Sequence, residues 1–137
     1  MRLFSSLLLA LPLLVTTALA EKVEKKPVAV IHLNAIQASK MVIGPNVEKR
    51  PTVIDIRTLG EFKEGHLASA IHIDFLEENF ADTIQKLNRD TPYLVHCQSG
   101  GRSSNSLALW KKFGFTKVYH LDGGLLAWKK AGLPIVK

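Results

Sequence analysis

Cys97 is the only cysteine among 137 residues, and it stands in the run Tyr93-Leu94-Val95-His96-Cys97-Gln98-Ser99-Gly100-Gly101-Arg102-Ser103. An apolar stretch delivers a thiol into a short, glycine-containing turn that an arginine closes. With no second cysteine an internal disulfide is impossible, so the thiol is either an inert core residue or a nucleophile. A thiol attacks as its thiolate, and an ordinary cysteine is only a few per cent ionised at neutral pH. The residues after Cys97 are suited to correct this. Successive N–H groups of a tight turn can converge as an anion nest, with Gly100 and Gly101 expected to permit its backbone angles. A helix expected to open near Ser103 turns its positive end to the same point, and Arg102 adds a full charge. Such surroundings lower a thiol to about 3.5–7.5. A core thiol needs no Gly-Gly-Arg-Ser behind it, so the nucleophile is preferred. Gln98 and Ser99 offer donors and suit a turn equally well. His96 is expected to be a sheet histidine rather than a base, because neighbouring strand residues face opposite ways.

The elements that must position this loop alternate. Val28 to Leu33 reads as a strand, and Asn34 with Gln37 has capping-box spacing for a short helix toward Val42. Thr52 to Ile56 is β-branched and apolar, as in a strand covered on both faces. Ala70 to Ile73 is a further short strand. Asp74 and Glu77 then have the spacing of another capping box, for a helix carrying Leu76, Phe80, Ile84 and Leu87 on one face. Tyr93 to His96 is a strand, and Ser103 to Phe113 a helix with Leu107, Trp110 and Phe113 inward and Gly114 past its end. Lys117 to Leu121 is the last strand and Leu125 to Ala131 the last helix, stopped by Gly132 and Pro134. This alternation predicts an α/β domain, a small parallel central sheet with helices on both faces. Ligands of such sheets bind beyond the carboxyl ends of the strands, which places the segments after Ile56, His96 and Leu121 on one rim.

Arg2, an apolar run from Leu3 to Val15 and Ala18-Leu19-Ala20 form the three-part pattern of a cleavable secretory signal peptide at residues 1–20. A charged lead-in (21–27) and a single domain (28–137) follow. The mature protein is expected in the periplasm, or secreted, without membrane attachment. A formal net charge of +6 comes from scattered lysines, with no basic stripe and no interleaved aromatics. Nucleic-acid binding is therefore not expected, although the field can draw in small anions.

The loop resembles the active-site signature C-x-x-G-x-R-S of rhodanese-type sulfurtransferases. Asp55, Arg57, Glu61-Phe62, Gly65-His66-Leu67 and Ala70 resemble that family's upstream block. Leu121-Asp122-Gly123-Gly124 with Trp128 and Gly132-Leu133-Pro134 resembles its closing block. The resemblance implies a rhodanese fold and a single-domain enzyme of the exported bacterial type. It implies thiosulfate sulfurtransfer through a Cys97 persulfide in a ping-pong cycle, from a small anionic sulfur donor to cyanide or a thiol. Catalysis then rests on Cys97 and Arg102, with Gln98, Ser99, Gly100, Gly101 and Ser103 binding substrate. Asp55 and Arg57 would support the loop, or simply form an ion-pair network with Glu61. No cofactor and no metal are expected; His66, without partners, is read as structural, and both tryptophans as core.

Two other readings fit parts of the pattern. A carrier or sensor of sulfane sulfur would need the same thiol without turnover. Cysteine-based phosphatases and arsenate reductases carry H-C-x5-R, whereas only four residues separate Cys97 from Arg102. A tighter ring suits a sulfur atom better than a tetrahedral phosphoryl group.

Overall fold

A computed structural model describes residues 29–137. The expected signal peptide, the lead-in and Val28 lie outside the described residues. Five strands, β1 (Ala29–Leu33), β2 (Thr52–Asp55), β3 (Ile71–His72), β4 (Tyr93–His96) and β5 (Lys117–Leu121), form one sheet in the order β1-β5-β4-β2-β3. Every pairing is parallel. The connections include α1 (Ala35–Val42), α2 (Leu59–Glu64), α3 (Phe80–Gln85) and α4 (Gly101–Lys112), and α5 (Gly124–Lys130) follows the last strand.

Strand alternation divides the core in two. On one face Ile54, Tyr93, Val95 and Val118 pack with Phe80 and Ile84 of α3 and Leu107 and Trp110 of α4. On the other, Leu33, Val53, Leu94 and Leu121 meet Ala35 and Ala38 of α1 and Leu125 and Trp128 of α5. β4 is buried at all four positions, as its unbroken apolar run requires of a strand covered twice. No helix among the described residues is long and apolar enough to cross a membrane.

The Asn34–Gln37 capping box forms as expected. The Asp74–Glu77 pair opens no helix. Asp74 instead caps a turn by accepting from the Leu76 amide at 2.9 Å, and α3 begins only at Phe80. Leu76 is consequently 66% exposed, while Phe80 and Ile84 reach the core. A helix that the sequence did not announce, α2, opens with a capping box of its own between Thr58 and Glu61. α4 also starts two residues earlier than expected, at Gly101.

Candidate active site

Cys97 follows the last residue of β4, and the segments after β2 and β5 come to the same edge. The Leu125 and Leu126 amides donate to the carbonyls of Cys97 and Gln98 at 2.9 and 3.0 Å. This close approach explains a glycine. Gly124 sits at φ +58°, and a Cβ there would lie 2.5 Å from the Cys97 carbonyl oxygen and 2.7 Å from the Gln98 carbonyl carbon.

The loop folds back over the sulfur. Cys97 Sγ accepts from the Gly100 amide at 3.2 Å and the Ser103 amide at 3.4 Å, and Ser103 Oγ lies 3.4 Å away. Gly100, at φ +102°, makes the left-handed step that reverses the chain into α4. Gly101 does not share this role: it is the first helical residue, with open space where a Cβ would go. Burial opposes ionisation of Cys97 and is the largest single influence on it. The Ser103 hydroxyl and the amides of Ser103, Gly100 and Ser99 together outweigh it, leaving the thiol below its ordinary value.

Arg102 makes no hydrogen bond to the sulfur. Its guanidinium forms a two-bonded pair with the Glu61 carboxylate, at 2.8 Å on each side. That hydrogen bond is the main reason why Glu61 falls from 4.5 to about 2. The Glu61 hydrogen bond in turn raises Arg102 above its ordinary value, and the charge of Cys97 adds a smaller push in the same direction. The expected network of Asp55, Arg57 and Glu61 is therefore split. Glu61 belongs to Arg102, because α2 carries it across to the loop.

Asp55 and Arg57 pair with each other, Nη2 to Oδ2 and Nε to both oxygens, with side chains 0% and 3% exposed. From there Arg57 Nη1 donates to Gln98 Oε1 at 3.3 Å and Nη2 to the Gly65 carbonyl at 2.8 Å. Arg57 thus reaches the loop through Gln98. His96 faces Asp55 on the sheet side opposite α4, donates from Nδ1 to the Cys97 carbonyl, and makes no hydrogen bond from Nε2. Complete burial is the main force holding it below the usual histidine value. His66 stacks on Phe62 with centroids 3.8 Å apart.

Of the residues expected to bind substrate, Ser99 and Gly101 are exposed and Gln98 is half-buried. Ser103 is fully buried, with its amide and its hydroxyl oxygen each 3.4 Å from the sulfur. Its hydroxyl lies 2.8 Å from His120 Nε2, and His120 Nδ1 lies 2.8 Å from Asp122 Oδ1. The same oxygen is 2.8 Å from His32 Nδ1. The sequence reading passed over His120 and His32. Their signal was strand parity: both share a face with Val118, under α4, one strand or two from the cysteine. These three side chains place possible ligand atoms within 4.8 Å of one another, each already hydrogen-bonded inside the cluster. A cavity of about 310 Å³ opens at the opposite edge, beside Arg50, Pro51 and Thr52, away from Cys97.

The sequence matches the rhodanese-like domain over residues 34–131, most of the chain. The protein belongs to the rhodanese-like domain family. Among relatives of this chain is thiosulfate sulfurtransferase GlpE of Shewanella oneidensis. It is 34% identical over 100 residues, spanning 73% of this chain and 93% of that protein. GlpE of Pseudomonas fluorescens is 37% identical over 82 residues, 60% of this chain and 73% of the relative. An uncharacterized Synechocystis protein is 38% identical over 85 residues, and there the match spans only 46% of the relative's length. A rhodanese-related protein from Thermoplasma volcanium superimposes with a TM-score of 0.67 at 25% identity, over 77% of this chain and 97% of that one. The α/β rhodanese fold, a five-stranded parallel sheet flanked by helices, is therefore that of this chain.

Proposed function

We propose that this rhodanese is a thiosulfate sulfurtransferase that works through a persulfide on Cys97. The observation that carries the reading is the cradle itself: a sulfur met by two amides and a hydroxyl and held below the ordinary thiol value. The Cys97 thiolate attacks the outer sulfur of thiosulfate. The S–S bond breaks, its electron pair leaves with sulfite, and an anionic persulfide remains on Cys97. Cyanide or a thiolate then attacks the terminal sulfur, and the electron pair of that S–S bond returns to Cys97. Both states place negative charge within reach of the same donors, so the cradle needs no reorganisation between half-reactions.

Cys97 is 1% exposed, which favours donors that present a slim terminal sulfur, thiosulfate or a persulfide. Arg102 and the exposed Ser99 and Gly101 lie along the outer side of the loop, where the donor's sulfonate would rest. The names of the GlpE relatives support thiosulfate as donor. We also propose export to the periplasm with cleavage after Ala20, on the pattern of residues 1–20; amino-terminal sequencing of the exported protein tests it, and an intact Met1 would refute it.

The deciding experiment compares thiosulfate:cyanide turnover of wild type and Cys97→Ala. Mass spectrometry should show the wild type gaining one sulfur with thiosulfate and losing it with cyanide. Stable loading without turnover would make the protein a carrier, and no loading would refute the reading.

A further inference from the structure

Behind Cys97 runs a line of hydrogen bonds that persulfide chemistry does not by itself require. Asp122 Oδ1 lies 2.8 Å from His120 Nδ1, His120 Nε2 lies 2.8 Å from Ser103 Oγ, and Ser103 Oγ lies 3.4 Å from Cys97 Sγ. A carboxylate accepts only, so Nδ1 of His120 carries a hydrogen. The open question at each moment is which of His120 Nε2 and Ser103 Oγ donates to the other.

The two answers differ at the sulfur. Ser103 has one hydroxyl hydrogen and several acceptors: Cys97 Sγ, the Gly100 carbonyl at 3.1 Å, and His120 Nε2 when it is bare. When His120 is neutral, its bare Nε2 offers the shortest of these contacts, and the hydroxyl turns away from Cys97. When His120 is an imidazolium, Nε2–H donates to Oγ and the hydroxyl hydrogen is free to point at the thiolate.

We propose that His120, held by Asp122, is a positioning residue that works through Ser103 as a proton relay for Cys97. As the thiol ionises, the S–H bond breaks and its proton joins Ser103 Oγ. The hydroxyl's former proton passes to His120 Nε2. The serine is unchanged, and the products are a thiolate facing an O–H donor and an imidazolium facing Asp122. The order Asp-His-Ser is that of a hydrolase triad, but Ser103 is fully buried, and beyond His120 its hydroxyl meets only the sulfur and the Gly100 carbonyl.

The fold supplies this line cheaply. His120 is a register partner of Val95 in β4, two residues before Cys97, so it shares the α4 face on which Ser103 sits. Burial tends to raise Asp122, but hydrogen bonds with His32 and His120 outweigh it and keep the carboxylate below its ordinary value. The titratable groups facing His120 are Asp122 beyond its own strand, His32 from β1 and Cys97 across Ser103; Arg102 of α4 turns away to Glu61. His32 is half exposed and shares Asp122 Oδ1, so it competes for that carboxylate without touching Ser103.

The inference rests on Cys97 being the reactive group, and its test reads ionisation rather than sulfur transfer, so the two can fail separately. The full chain is titrated by NMR at the His120 imidazole in four forms: wild type, C97S, S103A and the double variant. Removing the Cys97 charge should lower the His120 midpoint by about half to one pH unit when Ser103 is present. In the Ser103→Ala background the same change should produce less than about a third of that. No response to C97S overturns the relay, and so does an equal response in both backgrounds, which is the signature of charge acting through space. Thiolate ultraviolet absorbance gives a second reading. The wild-type curve should be broader than one ionisation, and His120→Phe should reduce it to a single simple step; a curve of unchanged breadth overturns the proposal. If His120→Phe does not fold, the four-form NMR comparison decides alone.

Discussion

Glu61→Gln isolates one charge at the mouth of the loop. Glutamine keeps an oxygen to accept from the Thr58 amide, which lies 3.0 Å from Glu61 Oε2, so the capping box survives. What disappears is the charge that pairs with Arg102. A carboxyl lowered from 4.5 to about 2 would contribute about 3 kcal/mol if nothing were screened. The two side chains are 29% and 25% exposed, and solvent screening brings the expected loss to about 1–2 kcal/mol. The sign follows from the lowered folded-state value. The contribution is fully present above 4.5 and is lost as pH falls from there toward about 2. Urea unfolding of both proteins should therefore show the full difference at neutral pH and less than about half of it near pH 3. A difference that stays constant with pH would refute the reasoning, because it would place the effect in packing or capping rather than in the ion pair.

Arg102→Ala should lower kcat/KM for dianionic thiosulfate about tenfold more than for a neutral persulfide donor, as expected for loss of a charge-assisted contact; equal losses would remove Arg102 from donor binding. Gly124→Ala, which forces a Cβ into the Cys97 carbonyl at a left-handed φ, should cost about 2–4 kcal/mol in thermal or urea unfolding and slow turnover; a neutral effect would contradict the close approach. Asp55→Asn strands the buried Arg57 charge and should destabilise by about 3–5 kcal/mol, read by the same unfolding assay, with a loss below about 1 kcal/mol speaking against the buried pair. Alkylation of Cys97 followed against pH should have its midpoint below that of an unstructured cysteine peptide, and a midpoint at or above it would contradict the cradle.

Local patterns in the chain were enough for the architecture and for the turn that surrounds Cys97. β-branched runs, the Asn34 capping box and Gly114 each reflect short-range preferences that the fold did not overrule. The sulfur and its amide donors lie within seven consecutive residues, so their chemistry was legible before any packing was known. Where a local pattern competed with burial, burial won. The Asp74–Glu77 spacing lost to a turn that brings Phe80 and Ile84 into the core, and Leu76 was left in solvent.

The partners of the loop were settled by tertiary structure alone. Glu61 meets Arg102 across 41 residues, and His120 meets Ser103 across 17. Sequence spacing is silent about such pairs, because strand order and helix placement decide which ends share an edge. A thiol in a glycine turn with an arginine was therefore visible in the sequence. The neutralisation of that arginine by Glu61, and the histidine and carboxylate behind the thiol, exist only because the parallel sheet brings the carboxyl ends of β1, β2, β4 and β5 to one rim.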